Sequence, residues 1–211
     1  LPCIESVIKP KIIYEAKALP YEYDELVPII TKSMLKKFYS DYEKCVKHLN
    51  DSQYTLAQTK ENLQNYQFFD YWEEEITKGE FLLSLYEVYW SIMSPLGLGG
   101  YPGTKTIKLI KKSLAHFNQF KEHLINAADT LSGSGWSVLM YLPQVGQLKV
   151  FQVEEGKCLD NSIIPILSCY VQDEAEYPNL LYGRREYLEN WWNLINWFEV
   201  EKKIIESIKK P

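Results

Sequence analysis

A short apolar run, Ile163 to Val171, is followed at once by Gln172, Asp173, Glu174 and Glu176, and here the residue types could do chemistry. A run of that length bounded by polar residues reads as a buried strand. Carboxylates at the end of such a strand, facing a cavity, are a common setting for a site. Elsewhere the reactive residue types are scattered. His48, His116 and His123 read as surface or capping residues. Cys3, Cys45, Cys158 and Cys169 form no Cys-x-x-Cys pair and no finger-like spacing with histidine, so they read as reduced thiols, Cys45 and Cys169 buried. The glycines at 97, 99, 100 and 103 follow a helix, not a strand, and lack the Lys-Ser/Thr of a phosphate loop, so they read as a linker.

The elements that must position the acidic strand end are mostly helices. Residues 1–18 carry Pro2 and Pro10 and read as an extended arm. Apolar residues from Met34 to Leu49 recur at helical spacing, and Asn50, Asp51 and Ser52 predict a stop followed by a polar connector to about residue 78. Gly79 precedes a second helix bearing Leu82, Leu85, Tyr86, Tyr89, Ile92 and Met93; Ser94, Pro95 and the glycines end it. A third helix is expected over about 104–130, strands over 137–142, 147–153 and 163–171, and a final helix over 186–207. This order is α+β: an arm (1–18), a helical-hairpin domain (19–98), and an α/β domain (99–211) with helices around a three-stranded antiparallel sheet.

Composition narrows the function classes. With 211 residues, 46% hydrophobic and 24% charged, the chain can bury a sizeable core, and 16 Tyr and 6 Trp must carry much of its packing. A net charge of −5 argues against a broad grip on nucleic acid. No apolar run reaches the ~18 residues that a membrane span needs. The first residue is Leu1, which is compatible with removal of a targeting peptide.

Several segments, in order, resemble the iron/manganese superoxide dismutases: Leu19-Pro20-Tyr21-x-Tyr23-Asp24-x-Leu26-x-Pro28, Cys45-Val46-x-x-Leu49-Asn50, Tyr89-Trp90-x-x-Met93-Ser94-Pro95, Phe117-x-x-Phe120, Gly133-Ser134-Gly135-Trp136 and Trp192-Asn193-x-Ile195-Asn196-Trp197. The resemblance implies a helical hairpin, an α/β domain, and a redox metal held by three histidines and an aspartate. Aligned on these motifs, the four ligand positions fall on Lys37 (Phe38 with a one-residue slip), Tyr86, Tyr170 and Glu174, none of them the family's ligand. The family's gateway tyrosine falls on Cys45, and the glutamine beside the metal-bound solvent on Glu155. From this follow expectations of no metal, no cofactor and no catalytic residue, with Tyr86 and Tyr170 filling the vacated volume and a Lys37–Glu174 ion pair standing in for the ion.

In the family the segment holding Asp173, Glu174 and Tyr177 lies at a two-fold axis. Four carboxylates would meet in a homodimer, so a heterodimer with a related chain is expected. The resemblance extends to superoxide-dismutase-like proteins of the mitochondrial small ribosomal subunit. The expected function is therefore a non-catalytic structural protein on the matrix side, with protein partners and limited rRNA contact. A peripheral accessory subunit of a respiratory complex is the alternative, and an active dismutase stands behind both.

Overall fold

A computed structural model describes residues 10, 12–61, 67–160, 162–172 and 183–209. The elements run α1 (Lys32–Glu61), α2 (Phe69–Ser91), α3 (Thr104–Leu114), α4 (Phe117–Asp129), β1 (Gly135–Leu142), β2 (Gln147–Glu154), β3 (Ile164–Val171), α5 (Gly183–Trp191) and α6 (Trp197–Lys209). The fold is α+β, a helical hairpin followed by helices around a three-stranded antiparallel sheet ordered β2-β1-β3.

The first helix does not stop at Asn50. It continues to Glu61 because Leu56 remains on the buried face and Thr55 and Thr59 return their hydroxyls to carbonyls one turn back. Asn50 serves another purpose. Its amide donates to the Tyr14 carbonyl and its oxygen accepts the Tyr14 N–H, both at 2.9 Å, so it clamps the arm onto α1. The second helix likewise begins well before Gly79. That glycine lies inside α2 close against α1: a Cβ there would sit 3.0 Å from Leu49 Cδ1.

The expected third helix is two. Ala115 takes a positive φ of 67°, and the chain re-enters a helix at Phe117. The last helix is also divided. A 3-10 turn at Trp192–Leu194 leads to Ile195, which pairs with Met93, while Asn196 N–H donates to the Ile92 carbonyl at 2.7 Å. These bonds sew the end of α2 to the start of α6.

β1 is the central strand and is buried on both faces, whereas β2 alternates buried and exposed residues as an edge strand should. Opposite Met140 the β1–β3 register shifts at Pro165, which has no N–H to donate. The sheet is tied to helices on both sides by buried hydroxyls. Ser168 Oγ donates to the Leu85 carbonyl of α2, and Ser137 Oγ to the Leu124 carbonyl of α4, each at 2.8 Å. These bonds satisfy polar atoms that would otherwise be costly in the core. They also hold β3 against α2, which sets the site.

Candidate functional site

Tyr86 projects from α2 and Tyr170 from β3, and the two meet between the hairpin and the sheet. Their ring centroids are 5.7 Å apart, and each phenol acts on the proton of the other, with Gln172 also acting on Tyr170. Trp136 of β1 packs against both rings, at 4.8 and 4.7 Å. Phe38 meets Tyr170 edge-on at 5.3 Å, Tyr42 meets Tyr86 at 5.5 Å, and Trp90 stacks on Tyr86 at 6.0 Å. Each such pair adds about 0.5–1.5 kcal/mol beyond the area it buries. The volume at the junction is thus filled by aromatic rings.

Burial pushes the Tyr86 phenol far above its ordinary range, and the neighbouring Tyr170 adds to the shift. Tyr170 is raised to about 12, first by burial and then by the Asp41 carboxylate, against the pull of its hydrogen bonds to Tyr86 and Gln172. Cys45 lines the same space, half-buried, with its Sγ 3.9 Å from the Gly79 carbonyl, and burial raises its thiol to about 12. At neutral pH all three are protonated.

A cleft of about 480 Å³ opens over this floor. One wall is Cys45, His48, Glu75, Lys78 and Leu82 of the hairpin; the other is Glu154, Glu155 and Lys157 at the end of β2. Glu155 is near enough for its charge to be felt at Tyr170. Lys78 is paired with Glu74 at 2.8 Å and Glu75 at 3.3 Å, and Lys157 with Glu154 at 2.5 Å.

Of the four implied ligand positions, the structure brings Tyr86 and Tyr170 together. Lys37 is exposed on α1, and Phe38 is the α1 residue that reaches Tyr170. Glu174 lies outside the described residues, as do Asp173 and Tyr177, so the Lys37–Glu174 pair and the dimer surface do too. His48 is exposed and lies 3.3 Å from Glu75 on the rim, His116 precedes α4, and His123 lies on α4. Among the described residues no group of three or more His, Cys, Asp or Glu is placed to hold a metal ion. Two protonated phenols, a protonated thiol and a phenylalanine are poor donors, so the described residues do not fit an iron or manganese ion at this position.

Sequence reasoning missed Asp41, whose charge acts on both phenols. Its spacing from Lys37 and Cys45, one turn from each, was the available signal. It also missed the role of Arg184. Buried on α5, its guanidinium donates to the carbonyls of Leu131 at 2.6 Å, Gln172 at 3.0 Å, and Asp129 and Gly133 at 3.3 Å. It thereby holds the end of β3 beside the turn that leads into β1.

Residues 102–203 match the family model for the iron/manganese superoxide dismutase C-terminal domain. Along nearly its whole length the chain is similar to a manganese/iron superoxide dismutase from Aeropyrum pernix, 30% identical over 92% of each chain. It is 31% identical to an iron superoxide dismutase from Sulfolobus acidocaldarius, over 93% of this chain and 96% of that one. A probable iron superoxide dismutase from Bacillus subtilis is 28% identical over 90% of this chain and 67% of its own. These similarities correct the expectation of a non-catalytic structural protein of the mitochondrial ribosome or a respiratory complex. The relatives are named as enzymes, and nothing in them points to a ribosome, a mitochondrion or a structural role.

Proposed function

Because the chain belongs to the iron/manganese superoxide dismutase family, we propose superoxide dismutation as its activity. One observation carries this: similarity to named dismutases runs through more than nine-tenths of the chain instead of being confined to a motif. A redox metal, if the chain held one, would supply the one-electron chemistry of that reaction. The donor set around Tyr86 and Tyr170 opposes the proposal, so metal content and activity must be measured together.

The test is expression with iron or manganese supplied, metal analysis of the purified chain, and an assay of superoxide decay. Stoichiometric metal with decay above background bears the proposal out. A folded, metal-free chain that leaves superoxide at its background rate overturns it.

A further inference from the structure

The cleft above the tyrosine pair has a floor and a charge that suit a ligand unlike superoxide. We infer that it binds a small organic cation with a flat apolar body. The floor is aromatic, formed by Tyr86, Trp136 and Tyr170, and Leu82 lines one wall. Aromatic rings attract cations through their quadrupole and give a planar apolar group a surface to pack on.

The charges at the mouth select the sign. Lys78 and Lys157 are each neutralised by carboxylates, as described above, and His48 shares Glu75 with Lys78. Glu155 lines the cleft and has no ion pair among the described residues. A second carboxylate, Asp41, acts on the phenols from the α1 side and is paired with Lys44 at 2.8 Å. The uncompensated charge over the floor is therefore negative, and an entering cation would partner Glu155. The volume of about 480 Å³ suits a molecule of one ring with a short charged arm. This goes beyond dismutation, since a chain inert toward superoxide would still have this cleft.

Benzylammonium, benzyl alcohol and benzoate share one ring and differ in charge, so they serve as probes. Titrated into the full chain at low salt and followed by calorimetry, benzylammonium should bind about tenfold more tightly than benzyl alcohol, and benzoate most weakly. Glu155→Gln, at an exposed position, should cut the preference for benzylammonium over benzyl alcohol severalfold, leaving only what the rings supply, without changing the unfolding midpoint. Leu82→Trp, which fills the cleft, should remove binding of all the probes. No saturable binding by benzylammonium, a preference for benzoate, or a cation preference undiminished by Glu155→Gln would overturn the inference. The superoxide assay is independent of each outcome.

Discussion

Removing either hydroxyl of the Tyr86–Tyr170 pair should destabilise the chain, but unequally. Tyr170→Phe takes away the partner of the Tyr86 hydroxyl, and Tyr86 is the more buried of the two, at 4% exposure against 9%. A buried polar group left without a partner costs about 1–3 kcal/mol. Tyr86→Phe leaves Tyr170 with Gln172 as a polar neighbour, so the loss should be closer to the net value of one hydrogen bond, about 0.5–1.5 kcal/mol. The double variant leaves neither hydroxyl orphaned, and should cost less than the sum of the single losses by about 1 kcal/mol. Equilibrium urea unfolding of the four proteins gives all three quantities. Ultraviolet titration supplies a second readout. The folded phenols bind their protons more tightly than an unfolded tyrosine, so their contribution is fully present below pH about 10 and is lost as pH rises through the folded value, about 12 for Tyr170. Strict additivity of the two substitutions, or a larger loss in Tyr86→Phe than in Tyr170→Phe, would refute the pairing argued here.

Arg184→Met should cost about 3–5 kcal/mol, because several carbonyls lose a charged donor together, and Arg184→Lys should recover only part of it; denaturant midpoints read both. Asn50→Ala should cost about 1–2 kcal/mol and free the segment around Tyr14, seen as earlier proteolytic cleavage there while the body of the chain stays intact. Glu201 on α6 accepts the backbone N–H groups of Lys105 at 3.2 Å and Thr106 at 2.7 Å, capping α3 from a distance of many residues in sequence. Glu201→Ala should therefore cost about 0.5–2 kcal/mol, with hydrogen exchange accelerating first at the start of α3.

What could be read along the chain was what local spacing encodes. Helical periodicity located α1 and α2, two strand-like runs joined across Pro143 to Gly146 located the β1–β2 hairpin, and the apolar run before Gln172 located β3, because each pattern is carried by residues close in sequence. The ordered motifs carried the α+β family fold as well. Element ends were less legible. Asn50-Asp51-Ser52 has the chemistry of a stop, yet a contact with the arm occupies Asn50 and the helix continues. Ala115 interrupts the predicted third helix without a glycine or proline to announce it.

The chain by itself, through its ordered motifs, determined the family and drew attention to Tyr86 and Tyr170. Only the tertiary structure decided what they do. Their contact joins residues 84 positions apart, and it depends on Ser168 bonding to Leu85 and on Arg184 gripping the end of β3. It likewise decided that Phe38, not Lys37, turns toward Tyr170, and that Glu155 shares a cleft with the hairpin. Such placements are set by packing between elements distant in sequence, and no local periodicity carries that information.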